Sequence, residues 1–151
     1  MKRSAELTPL SHDHHQALFV AMQLKRAAPD DAAWAVQTFL DFTEETGDAH
    51  FRIEEEILLP GWLAAVERDR ETAAAMAARV AAEHLEIRIA ARLLRTGDVA
   101  PDQLRALGSL LERHVRFEER ELFPLVESSL GEQAIGALGA EIAAAEAASS
   151  A

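Results

Sequence analysis

The chain has 151 residues, the length of one domain of ordinary size, and a hydrophobic fraction of 49% beside a charged fraction of 27% excludes fibrous, disordered and disulfide-miniprotein classes. A net charge of −11 repels phosphate backbones and anionic lipid, so neither nucleic acid nor a membrane surface is expected as a partner. The absence of cysteine removes disulfides, thiolate zinc sites, iron–sulfur clusters and thiol catalysis together, and the absence of tyrosine removes phenolate chemistry.

Alanine makes up about a fifth of the sequence and aromatics only 5%, a balance that favours helix because these side chains lose little rotamer freedom there. The start, Met1-Lys2-Arg3-Ser4, leads into polar Glu6 and Thr8 rather than an apolar signal core, so a cytoplasmic protein is expected.

In chain order, a first helix is predicted from Thr8-Pro9 or Ser11 to about Ala28, with Thr8 as its cap. Pro29-Asp30-Asp31 stops it and caps a second helix, whose stripe is Val36, Phe39, Thr43, Thr46, His50, Ile53/Glu54 and Ile57. Pro60-Gly61 marks an end or a kink. A third helix from about Glu71 turns Met76, Val80, His84, Ile87, Ala91 and Leu94 inward, and Gly97-Asp98 closes it with a left-handed glycine. Pro101 opens a fourth, striped by Leu104, Leu107, Leu111, His114, Glu118, Glu121/Leu122 and Leu125, with Pro124 interrupting near its end. Residues 132–148 form a short fifth helix lying outside the others, its last residues frayed. Four long helices with short connections predict an all-α fold, an antiparallel up-down four-helix bundle with a short C-terminal helix, in a single domain spanning 8–148.

The sequence also repeats itself. His50-Phe-Arg-Ile-Glu-Glu-Glu-Ile-Leu-Leu-Pro60 matches His114-Val-Arg-Phe-Glu-Glu-Arg-Glu-Leu-Phe-Pro124. More weakly, the stretch from His15 to Arg26 lies over that from His84 to Arg95. Residues four apart share a helix face, so His50 projects with Glu54 and His114 with Glu118, on stripes that are otherwise apolar. A bare carboxylate in such an interior costs several kcal/mol unless it is paired or bound to metal. With His15 and His84 from the other two helices, four imidazoles and two carboxylates fall in one layer. That is too many donors for one tetrahedral zinc and suits two ions, each with two imidazoles and sharing both carboxylates and a solvent oxygen. Nitrogen and oxygen ligation without thiolate fits iron, manganese or zinc. The candidate ligands are therefore His15, His50, Glu54, His84, His114 and Glu118. His15 is chosen because it aligns with His84 and has Leu18 and Met22 below it; His14 replaces it if the helix is rotated, and His12, one turn upstream, is either an extra ligand or an exposed helix start.

His50-x-x-x-Glu54-Glu55 and His114-x-x-x-Glu118-Glu119, each followed by an apolar pair and proline, together with Asp13-His14-His15 and Glu83-His84, resemble the hemerythrin-like HHE cation-binding family over residues 10–127. The resemblance implies a non-haem centre of two bridged iron ions that binds dioxygen or nitric oxide, or senses iron or redox state. Hemerythrins proper carry a fifth histidine one turn before the third-helix histidine, where this chain has Val80, which points away from reversible oxygen carriage and towards sensing, storage or stress response.

Against these readings stand blander ones: solvated surface pairs for His50/Glu54 and His114/Glu118, and a hydrogen-bonded core histidine for His84. Glu55, Glu56, Glu119 and Glu121 are read as exposed or supporting, and Trp34 and Trp62 as packing at the bundle ends. Two rival functions remain: a di-iron peroxidase, oxidase or iron-centre repair enzyme, and a bundle holding zinc or manganese structurally. No nucleophile, flavin motif or relay cysteine favours the enzyme.

Overall fold

A computed structural model describes residues 2–97 and 99–151; Asp98 of the predicted Gly97-Asp98 stop and Met1 lie outside the described residues. The chain is all-helical, with no strand among the described residues. Five rods follow one another: α1 (Thr8–Arg26), α2 (32–65), α3 (Arg70–Thr96), α4 (101–129) and α5 (Glu132–Ser149). None of the described helices is long and apolar enough to cross a membrane.

Two of these rods contain widened, π-helical turns. In α2 they are Thr43–Gly47 and Glu54–Leu58, and in α4 Glu118–Leu122. The Leu59 amide donates to the Glu54 carbonyl and the Phe123 amide to the Glu118 carbonyl, five residues back in each case. The turns Glu54–Leu58 and Glu118–Leu122 each run into a proline, Pro60 or Pro124. A proline ring has no N–H and collides with the carbonyl four residues earlier, and a turn widened by one residue absorbs that conflict. Pro60 therefore does not end α2, which continues to Ala65.

Other termini also depart from expectation. Thr8 does not cap α1: it lies inside the helix, and its hydroxyl donates back to the Ser4 carbonyl at 2.7 Å. Gly97 follows α3 in extended rather than left-handed backbone, φ −156°. The start of α4 is secured by the Gln103 side chain, which accepts the Ala100 amide at 2.9 Å.

The core is divided into two apolar clusters. One gathers Leu7, Leu10, Ile53, Leu58, Trp62, Val80, Phe117, Leu122 and Phe123; the other gathers Ala17, Val20, Leu24, Phe39, Phe51, Ile87, Leu94, Leu104, Leu111 and Val115. Along the sequence α1 and α3 pass from the first cluster to the second, and α2 and α4 from the second to the first. Cross-helix contacts run in the matching order. Arg3, ahead of α1, meets Glu127 of α4, and Ser11 meets Glu119 and Lys25 meets Glu112 between α1 and α4; Glu55 meets Arg88 and Glu44 meets Arg95 between α2 and α3.

The fifth helix is not an external appendage. Leu138 and Ile142 are buried in the first cluster, and α5 lies against the second half of α2. At Gly139 a Cβ would stand 2.5 Å from Glu6 Cγ, so only glycine allows this approach to the chain entering α1. Trp62 is fully buried and donates Nε1–H to Ser129 Oγ at 2.8 Å, as expected of bundle-end packing, whereas Trp34 is exposed.

At Gly108, α4 approaches α1 tightly. A Cβ there would lie 2.7 Å from the Ala21 carbonyl oxygen and 2.8 Å from Lys25 Cγ. Gly108→Val is expected to lower stability by about 1–3 kcal/mol through overpacking, read as a fall in the midpoint of thermal unfolding by circular dichroism; an unchanged midpoint would show that the two helices separate without cost.

Candidate metal centre

Between the two apolar clusters lies a polar layer made of His14, His50, Glu54, His84, His114 and Glu118, each no more than 4% exposed. Four helices supply it. α1 brings His14, α2 brings His50 and Glu54, α3 brings His84, and α4 brings His114 and Glu118. Both glutamates open widened turns, the feature the two prolines impose on α2 and α4 alike.

All four imidazoles aim Nε2 at the centre. His14 and His50 approach to 3.1 Å through these atoms, and so do His84 and His114. The two carboxylates lie across the halves. Glu54 turns Oε1 to His50 and Oε2 to His84, each at 3.2 Å. Glu118 turns Oε2 to His14 at 3.1 Å and Oε1 to His114 at 3.2 Å.

Behind each imidazole stands a further carboxylate on Nδ1: Glu119 on His14 at 2.6 Å, Asp13 on His50 at 2.9 Å, Glu55 on His84 at 2.8 Å and Glu83 on His114 at 2.8 Å. Such a partner accepts the Nδ1 proton, which leaves the Nε2 lone pair facing inward. The centre is thus a ring of four nitrogen lone pairs and four carboxylate oxygens. None of those oxygens has a hydrogen-bond partner, although all are buried. An interior of that kind is strongly unfavourable unless cations occupy it, either protons or metal ions. The donors divide into two sets that could each hold an ion: His14, His50, Glu54 and Glu118, and His84, His114, Glu54 and Glu118. An Nε2 spacing of 3.1 Å suits two nitrogens that each lie about 2.1 Å from one ion.

Electrostatics point the same way. Burial opposes charge on His14, but Glu118 and Glu119 outweigh it and lift its pKa from 6.5 to about 9. Burial likewise opposes charge on His50 and His114, and the neighbouring carboxylates raise both. Burial would push Glu119 up, yet His14, Ser11 and Arg3 hold it at about 2. The site draws positive charge.

Aromatic rings close the layer. Phe51 stacks on His84 with centroids 3.8 Å apart, and Phe123 stacks on His14 at 5.4 Å. A cavity of about 10 Å³ adjoins His14, His50 and His114 and is walled by Phe42, Phe51, Leu111 and Val115. Its volume is that of about one water molecule. Val80 is buried in the first apolar cluster and adds no donor.

Five of the six residues singled out in the sequence meet here; the sixth does not. His15 is exposed, with its ring 6.5 Å from that of exposed His12, and His14 takes the position in the layer. The reason lies in two competing stripes on α1. Leu10, His14, Ala17, Ala21 and Leu24 form the buried one, and the bare Gly108 of α4 lets that helix approach the Ala21 carbonyl and the Leu24 side chain closely. His15, Leu18 and Met22 lie about 100° round the helix, where Leu18 and Met22 line a surface groove with Lys25, Arg26, Glu112 and Arg116. The repeat therefore runs His14 to His84 and Asp13 to Glu83, one residue off the alignment through His15. The roles of Asp13 and Glu83 were missed in the sequence, although an acidic residue before the histidine in both hairpins signals them. Glu55 and Glu119 support the imidazoles, while Glu56 and Glu121 are exposed.

No curated protein and no solved structure matches the chain. The family model described as the hemerythrin HHE cation binding domain matches residues 7–126. That span takes in all six inward-facing side chains and the carboxylates behind them, and the chain belongs to the hemerythrin HHE cation-binding family.

Proposed function

We propose that this protein holds two iron ions in the His/Glu layer and binds a small diatomic ligand, dioxygen or nitric oxide, for sensing, storage or stress response, on an antiparallel up-down four-helix bundle. The observation that carries the reading is the pair of buried carboxylates, Glu54 and Glu118, each turning one oxygen to each half of the layer. His14 and His50 would ligate one ion, His84 and His114 the other, with Glu54 and Glu118 bridging. The alternation of α1–α4 between the two apolar clusters supports the bundle topology.

When bound, a pair of irons supplies one-electron redox chemistry and open coordination positions for a small ligand. The chain's own part is to hold and to exclude. Glu119, Asp13, Glu55 and Glu83 fix each ring's tautomer and direction. Phe42, Phe51, Leu111 and Val115 give the small adjoining cavity an apolar wall.

Protein reconstituted anaerobically with ferrous iron should contain close to two irons per chain, and near-ultraviolet or visible absorption should appear on adding dioxygen or nitric oxide. Zinc or manganese alone, with no spectral response, would replace this reading with a structural one, and peroxide turnover or repair of damaged iron–sulfur protein would replace it with an enzyme. His14→Ala should lose much of the iron, whereas His15→Ala should keep it; the reverse would return the ligand role to His15.

Metal and protons compete for the same nitrogens. A histidine whose folded pKa is raised contributes stability that is fully present below its unfolded value and lost as pH rises through the folded one. In chelator-treated protein the His14 contribution is therefore complete below 6.5 and gone above about 9. That of Glu119 is present above 4.5 and lost as pH falls through about 2. Urea unfolding of the chelated protein should show a stability maximum between these limits and a decline from pH 6.5 to 9; the metal-loaded protein should show no such decline. Equal stability of the chelated protein at pH 6 and pH 9 would contradict the charge balance described.

A further inference from the structure

Two of the four imidazoles are held in the same way. On His84, Glu55 stands behind Nδ1 at 2.8 Å and the Phe51 ring lies against one face. Arg88 pairs with that carboxylate at 2.7 Å and covers that phenyl ring, 5.5 Å from its centroid. On His14, Glu119 stands behind Nδ1 at 2.6 Å and the Phe123 ring lies against one face. Arg3 pairs with that carboxylate at 2.8 Å and covers that ring, 5.1 Å from its centroid. In each case one guanidinium braces both the carboxylate behind an imidazole and the phenyl group on its face, a double contact suited to a planar cation with several donors.

The two arginines differ in origin. Arg88 belongs to α3, one turn after His84, so the helix itself sets its place. Arg3 precedes α1 and also the matched family span, which begins at residue 7. Its seat is fixed by further contacts. Nη1 donates to Glu127 Oε1 at 2.7 Å and Nη2 to the Glu119 carbonyl at 2.8 Å, while the Ser4 amide donates to Glu127 Oε1 at 3.2 Å. Ser11 of α1 donates to Glu119 Oε1 at 2.6 Å and Arg3 to Oε2, so both oxygens are engaged and the carboxylate keeps one orientation towards His14. The Arg3 side chain is 18% exposed and that of Arg88 36%, so the brace on His14 is the less screened by solvent.

An imidazole free to tilt or turn holds an ion less well than one locked in direction, and partners behind a ligating histidine typically change metal affinity by about 10–100-fold. We infer that Arg3 is a positioning residue of the metal centre: through Glu119 and Phe123 it fixes the His14 ring, and the segment ahead of α1 thereby sets how tightly the His14/His50 half retains its ion. This inference rests on the two-ion reading above.

The test titrates full-length, metal-stripped protein with zinc ion alone and follows the ring-nitrogen resonances of each histidine by NMR, with binding constants from calorimetry. Arg3→Ala should weaken zinc binding at His14 and His50 by about 10–100-fold, while His84 and His114 load as in the native chain. Arg88→Ala should do the opposite. Arg3→Lys keeps the charge but not the planar fork, and should recover only part of the loss. A merely structural role for Arg3 would lower the unfolding midpoint and loosen both halves together. That outcome, or native affinity at His14 and His50 in an Arg3→Ala chain of native helicity, overturns the inference. Should Arg3→Ala fail to fold, Arg3→Gln takes its place and is judged by the same two outcomes. Binding of fewer than two equivalents by the native chain overturns instead the two-ion reading.

Discussion

Two glutamates in the apolar interior of a small helical protein set the terms for everything else. Glu54 and Glu118 are fully buried, and their four oxygens face imidazole nitrogens whose own protons are directed outward to other carboxylates. Among the described residues no lysine or arginine side chain pairs with Glu54 or Glu118, so cations, protons or metal ions, are favoured at the centre of the fold. The apolar clusters on either side can be seen as what holds this layer together. Their large buried side chains each contribute about 1.5–3 kcal/mol, which offsets the cost of gathering six polar groups out of water.

The widened turns connect local chain chemistry to this layer. An ordinary helix would meet the ring of Pro60 or Pro124 with a steric clash and a lost hydrogen bond. The extra residue in the turn before each proline removes that conflict, and the glutamate opening each turn is the one that bridges the two halves. Because the same device occurs in α2 and α4, the centre has an approximate two-fold character, each hairpin providing one histidine from its first helix and a histidine and glutamate from its second.

Departures from that two-fold character carry the protein's individuality. Phe51 stacks on His84 while Phe123, from a different place in the other hairpin, stacks on His14. The cavity lies beside His14, His50 and His114 rather than centrally. Of the four supporting carboxylates, Asp13 behind His50 is the one with no arginine or lysine partner among the described residues.

By itself, the sequence determined the helical class, the bounds of the rods to within a few residues, and the pairing of His50 with Glu54 and His114 with Glu118, because a four-residue spacing fixes which side chains share a face. It also held the acidic residues behind the imidazoles, at positions repeated in both hairpins. What it left open was the phase of α1. Stripes through His14 and His15 are both partly apolar, and periodicity does not choose between them; the close approach of α4 at Gly108 to Ala21 and Leu24, which lie on the His14 stripe, does. The continuation of α2 through Pro60 and the docking of α5 against it were likewise decided in three dimensions, where one residue of helical register turns a side chain by about 100° and so moves it from water into the core.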